Sequence, residues 1–143
     1  MLDRDKTIAL LTRWNDAWNE HDLDRVMDLL HDDVEFENWT GGSLRGKEAL
    51  RQAWAPWFAN HGGFCFTTED LFVDEKAEKV LFRWSLDWPS MEKGHEGKLE
   101  RRRGVDVMHF RDGKIVKKYT YSKTTLEIGG KRVKLSAGSS RFS

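Results

Sequence analysis

The feature that most restricts the fold is a run of strict alternation in the second half of the chain. Val80, Phe82, Trp84, Leu86 and Trp88 alternate with Leu81, Arg83, Ser85 and Asp87. Successive side chains of a strand point to opposite faces, so large apolar residues at a period of two specify a strand covered on one face. Neighbouring segments extend it into a sheet. Residues 64–73 precede it across a charged turn at Asp74-Glu75-Lys76, and residues 98–110 follow a polar connection from Pro89 to Gly97. Arg111-Asp112-Gly113-Lys114 carries a hairpin signal, and residues 115–128 return.

A sheet with one apolar face needs a cover, and the first half supplies it. Ile8, Leu11, Trp14 and Trp18, with Leu10 and Ala17 beside them, fall at helical spacing over residues 5–20, with Asp3 or Asp5 placed to cap the first turn. Asn19-Glu20-His21-Asp22 breaks that pattern. Asp22 can cap a second helix carrying Leu23, Val26, Met27 and Leu30, which Asp32-Asp33 ends. Val34, Phe36 and Asn38 then alternate with Glu35 and Glu37 as a strand. A turn-rich loop over 39–46 leads to a third helix with Leu50, Trp54, Trp57 and Phe58, in which Pro56 predicts a kink or a break. Three helices on one face of a curved antiparallel sheet make an α+β architecture.

Composition narrows the class. A length of 143 residues suits one domain, assigned to residues 1–128, with residues 129–143 read as a polar, Gly/Ser-rich C-terminal tail. With 24 Lys+Arg against 24 Asp+Glu there is no basic excess to bind nucleic acid. No apolar run reaches the ~18–20 residues needed to cross a bilayer, and Met1-Leu2-Asp3-Arg4-Asp5-Lys6 is no signal peptide, so a soluble cytoplasmic protein with no membrane contact is expected. A lone cysteine excludes internal disulfides; Cys65, between two Phe, reads as a small buried filler. His21, His31, His61, His95 and His109 fall at no metal-ligand spacing, so no metal site is expected. Arg101-Arg102-Arg103 reads as a solvated face. Seven Trp and eight Phe are many for so charged a chain. Either they fill a small core with large pieces, or some line a cavity for a flat apolar ligand.

The order of elements, together with Trp14, His21-Asp22-Leu23, Asp32-Asp33-Val34-Glu35-Phe36, Gly46 and Gly104-Val105-Asp106-Val107-Met108-His109-Phe110-Arg111-Asp112-Gly113-Lys114-Ile115, resembles the nuclear transport factor 2-like superfamily. It is most similar to the SnoaL-like and ketosteroid isomerase-like branch, over residues 5–126. The resemblance implies a cone-shaped sheet with the three helices on its concave face, a conical pocket between them, and a homodimer through the outer sheet face. It also implies a small hydrophobic ring-containing ligand, steroid- or polyketide-like, handled without metal or organic cofactor.

Residue by residue, the resemblance changes what chemistry is available. Asp106 matches the isomerase's oxyanion-hole Asp, Trp14 stands where its catalytic Tyr stands, and Asn38 stands where its general base stands. An amide has no lone pair basic enough to take a carbon-bound proton near neutrality, so Asn38 is no base. Strand alternation turns Glu35 and Glu37 away from the face of Phe36 and Asn38, and only a one-residue slip would bring Glu37 in. The epoxide hydrolase branch's Asp-Arg-Asp positions hold Phe82, Val80 and Thr120. The dehydratase His is absent from residues 64–68, and the cyclase Asp from residues 118–122. Asp106 remains the candidate catalytic residue. A buried carboxylate must be protonated or paired, and Arg102 and Lys118 are both in reach; a pair that merely orders the core is the other reading. Trp14, Trp18, Phe36, Phe58, Phe82 and Trp84 are the expected pocket wall, and Asn38, Thr120 and Ser122 its hydrogen-bonding groups. The register implied by the resemblance puts Lys118, Thr120 and Ser122 inside, whereas apolarity alone would bury Tyr119 and Tyr121. The alternative function is a non-catalytic dimeric adaptor whose cone is filled by its own aromatic side chains.

Overall fold

A computed structural model describes residues 1–135. Capping chemistry sets the first two helices. Helix α1 (Arg4–Asn19) opens on Asp3, whose carboxylate accepts from the Lys6 amide at 3.0 Å. Helix α2 (Leu23–Asp28) opens on Asp22, which accepts from the Arg25 amide at 3.1 Å. Between them His21 takes the left-handed conformation, φ 57°, that more often falls to glycine after a helix. The Asp22 amide bonds the Ala17 carbonyl and the His21 amide the Trp18 carbonyl, so the helix end is satisfied before α2 begins. The His21 ring is held by its Nε2 donating to the Phe64 carbonyl at 2.9 Å and by stacking on His61 at 3.7 Å. That histidine pair is formed by tertiary contact and has no signature in spacing. Helix α3 (Lys47–Ala59) is not broken at Pro56, which lies exposed in its last turn, where a missing N–H costs a single intrahelical bond.

The described residues form eight strands, the first two of them before α3: β1 (Leu30–Glu37), β2 (Ser43–Arg45), β3 (Cys65–Asp74), β4 (Lys79–Pro89), β5 (Leu99–Arg111), β6 (Lys114–Ser122), β7 (Thr125–Ile128) and β8 (Lys131–Lys134). They pair in the order β2-β1-β6-β5-β4-β3, with β7 on β5 and β8 on β7. Together with the three helices the curled sheet makes a half-barrel, an α+β cone. The sheet is mixed rather than wholly antiparallel, because β1 and β6 run parallel. Those strands are joined through a helix and several strands, which frees them from the hairpin constraint that makes sequential neighbours antiparallel.

Four local expectations change. Leu30 begins β1 instead of continuing α2, and Asp32-Asp33 lie within that strand. Residues 43–45 of the expected loop pair with β1 as β2. The single return strand expected over 115–128 divides at Lys123-Thr124: β6 leaves β5 at Gly104, and β7 rejoins the same edge opposite Glu100 and Arg101. The expected tail begins instead with a turn and a strand. Gly129 and Gly130 both have positive φ (58° and 79°), the two-residue turn that matches strand twist, and it delivers β8 onto β7. Residues 136–143 of that tail lie outside the described residues.

The core forms where α1 and α3 meet the inner face of β4. Val80, Phe82, Trp84, Leu86 and Trp88 are all buried, as the alternation requires, against Leu10, Trp14 and Trp18 of α1 and Leu50, Trp54 and Phe58 of α3. Each such side chain is worth roughly 1.5–3 kcal/mol of burial. Asn19 ties α1 to the edge strand β3, donating to the Phe66 carbonyl at 2.8 Å and accepting from the Phe66 amide at 2.7 Å. Among the described residues no helix is long and apolar enough to cross a membrane.

Candidate functional site

Alternation along β5 decides what enters the cone. Glu100, Arg102, Asp106 and Met108 are buried on its inner face, while Arg101 and Arg103 point out. Arg101 pairs with Asp87 and Arg103 with Glu127, so the solvated-face reading holds for those two and fails for Arg102, which is completely buried. Its Nε donates to Glu100 and its Nη2 to Glu92, both at 2.8 Å, and its guanidinium lies 4.9 Å from the Trp39 ring. Glu100 also accepts from the Trp88 indole and from Ser90. Arg102 is therefore engaged away from Asp106.

Lys118 is the partner of Asp106. The register sets Asp106 between Phe82 of β4 and Thr120 of β6, and Lys118 shares the inner face of β6 with Thr120. Lys118 Nζ stands 3.2 Å from Asp106 Oδ2, and the Trp84 indole donates to Oδ1 at 3.2 Å. The ammonium also donates to Thr120 Oγ1 at 2.6 Å and lies 4.9 Å from the Phe36 ring centroid. This arrangement answers the ambiguity of the last strand: Lys118 and Thr120 face in, Tyr119 and Tyr121 face out.

Above this pair lies a cavity of about 430 Å³. Trp14, Trp18, Phe36, Phe82 and Trp84 line it, and so do the polar residues Asn38, Asp106 and Thr120. Two expected site residues are not on its wall. Phe58 packs behind Trp18, with ring centroids 4.9 Å apart. Ser122, at the end of β6, donates instead to the Lys123 carbonyl at 3.1 Å. Sequence reasoning missed Trp39, Phe66 and Leu71 as lining residues. Phe66 was legible in the alternation of its strand, whereas Trp39 arrives from a loop without periodicity. Cys65 is exposed and borders the cavity rather than filling the core, because β3 is the sheet edge.

Asn38 is spoken for. Its Oδ1 accepts from the Thr40 amide (3.1 Å), the Thr40 hydroxyl (2.7 Å) and the Gly42 amide (2.8 Å), closing the turn that carries Trp39. The unslipped register of β1 holds: Val34 and Phe36 are buried, and Glu35 turns outward to accept from the Tyr119 hydroxyl at 2.8 Å and Arg45 at 3.1 Å. Glu37 does not line the cavity, whose carboxylates are Asp106 and the exposed Asp16 of α1. On the outer face, burial and the bond to Glu35 push the Tyr119 hydroxyl up to about 12, and the same bond holds Glu35 below its ordinary value. His109, packed edge-on against Tyr119, is lowered by desolvation and by Lys79 and Lys117.

A half-barrel closed by three helices around a conical cavity is the architecture of the nuclear transport factor 2-like superfamily. Within it the chain belongs to the SnoaL-like domain family, whose model matches residues 11–118. No curated protein sequence matches the chain. Among solved structures it is similar to an NTF2-like protein of unknown function from Mesorhizobium loti, at 27% identity and TM-score 0.67, over 86% of this chain and 96% of that one. A SnoaL-like protein of unknown function from Burkholderia thailandensis shows 22% identity and TM-score 0.69, over 86% and 99%. The epoxide hydrolase/cyclase-like enzyme SalBIII, of pyran ring formation in the polyether salinomycin, shows 15% identity and TM-score 0.73, over 86% and 95%.

Proposed function

We propose that the protein binds a small hydrophobic molecule containing a ring, steroid- or polyketide-like, within the cone. The observation that carries this reading is the shape of the cavity: aromatic walls, with Asp106, Lys118 and Thr120 gathered as a polar patch. Such a site buries a flat apolar body and orients it by one polar end. Asp106 is the candidate acid–base group, and proton transfer or addition of water at an activated carbon is the class of chemistry it would serve. The similarity to SalBIII, an enzyme of ring formation, supports the ligand class. The adaptor reading requires the cone to be filled by its own aromatic rings, and a cavity of about 430 Å³ counts against it.

Titration with planar phenols and steroid-like ketones tests the proposal, followed by tryptophan fluorescence because Trp14, Trp18 and Trp84 line the site. Saturable quenching is expected, weakened at least about tenfold by Asp106→Ala and by Trp14→Ala, the loss of one good contact each. Binding unchanged in both variants would remove the site assignment. The outer sheet face is the proposed dimer contact, since Tyr121 is 53% and Leu81 37% exposed there. Sedimentation of the wild type as a dimer, and of Tyr121→Lys as a monomer, is the expected result; a monomeric wild type discards the contact.

A further inference from the structure

The setting of Lys118 is unusual for a lysine whose only task is to neutralise a carboxylate. The residue is 7% exposed, and four groups near its nitrogen belong to the cavity wall: Asp106 at 3.2 Å, Thr120 at 2.6 Å, the Phe36 ring at 4.9 Å and the Trp54 ring at 6.0 Å. A purely structural pair has no need to border a ligand-sized space. We propose that Lys118 is a carbonyl-capturing amine, forming an iminium with an aromatic aldehyde or ketone held in the cone. This rests on the ligand-binding reading above and deepens it by naming the reactive group of the ligand.

The geometry provides each part of the step. An amine in an apolar pocket is a nucleophile towards carbonyl carbon once it gives up a proton. Asp106, in contact with the ammonium, accepts that proton. The Lys118 nitrogen then forms a bond to the carbonyl carbon as the C=O π bond breaks, and the proton that the nitrogen must now lose passes to the alkoxide oxygen to give the neutral carbinolamine. Asp106 returns its proton to the carbinolamine hydroxyl, the C–O bond breaks, and water leaves. The sum is carbonyl plus ammonium going to iminium plus water, with no change of oxidation state. The cationic iminium ends beside the Asp106 carboxylate, so the charge pairing of the cavity is preserved throughout. The Trp84 indole, donating to the other oxygen of Asp106, keeps that carboxylate aimed at the nitrogen.

Neighbouring Lys117 is the internal control, since it lies on the outer face near Glu35 and His109. The experiment exposes the native protein to equimolar naphthaldehyde with cyanoborohydride, which reduces an iminium to a stable amine, and maps the label by peptide mass. Naphthylmethanol, of the same shape without a carbonyl, serves as competitor and binding control. The expected label sits on Lys118, forms at least about tenfold faster than on Lys117 or other surface lysines, and is suppressed by excess naphthylmethanol, as proximity in a bound complex requires. Lys118→Arg, which retains a cation beside Asp106, is expected to lose the preferential label even at aldehyde concentrations set to saturation from that variant's own fluorescence titration. If both probes quench tryptophan fluorescence saturably while the label spreads over surface lysines, the amine is structural and the inference is wrong. If neither probe binds, the ligand-binding reading fails first.

Discussion

Removing Lys118 alone strands the Asp106 carboxylate among aromatic rings, and breaking a buried pair from one side costs about 3–5 kcal/mol. Lys118→Met is expected to lose stability on that scale in urea denaturation, and Asp106→Leu added to it to recover a measurable part. If the double variant were no more stable than the single one, the pair would have little energetic coupling. Gly104 is the other sensitive residue. A Cβ there would overlap the Trp84 ring and the Tyr121 carbonyl, so Gly104→Ala must displace the indole that donates to Asp106. A loss of about 1–3 kcal/mol and a changed near-ultraviolet tryptophan signal are expected; an unperturbed signal would mean the backbone absorbs the methyl elsewhere. Gly104 was visible in the sequence as part of the strand motif, but its reason, a close approach of two neighbouring strands, was not.

Among the elements, the outer face of β1, β5 and β6 carries the pH dependence. Tyr119 lies above its ordinary value of 10.0, first through burial and then through its bond to Glu35, so the group contributes stability that is present below pH 10 and lost as pH rises through about 12. Glu35 lies below its ordinary 4.5 and contributes stability present above that pH and lost as pH falls below it. His109 is likewise lowered from 6.5, so its contribution is present above pH 6.5 and declines as the ring is forced to protonate. Tyr119→Phe is expected to flatten the alkaline decline of the urea midpoint and to shallow the acid one, since Glu35 loses its donor. His109→Gln should remove a step just below pH 6.5. In the β7–β8 hairpin, Gly129→Asn suits the left-handed turn position, and its Cβ would meet only the Lys98 side chain, Cδ at 3.4 Å and Cβ at 3.9 Å. A gain of about 0.5 kcal/mol is expected from a less flexible unfolded chain, read as a small rise in melting temperature. Helices and central strands were legible because their apolar periods are long. Strands β2 and β8, three and four residues each, were not, because so short a segment carries no period.

For the whole molecule, a ligand that binds the folded cone raises stability by mass action. At a free concentration about 100 times its dissociation constant the gain is about 2.7 kcal/mol, and melting temperature should rise with ligand concentration in the wild type and rise less at each concentration in Asp106→Ala. A melting temperature indifferent to every ring compound tried would count against the cone as a binding site. The sequence by itself determined that Val34, Phe36, Phe82 and Trp84 face inward, since they follow from an alternation that is a property of each strand alone, whereas Asp106 and Thr120 are placed inward only by the resemblance. Only the tertiary structure decided that Lys118 rather than Arg102 meets Asp106, that His21 stacks on His61, that β1 joins β6 in parallel, and that a cavity survives among so many aromatic rings. Those outcomes depend on the register between strands and on the curl of the sheet, which are set by long-range packing and leave no local period to read.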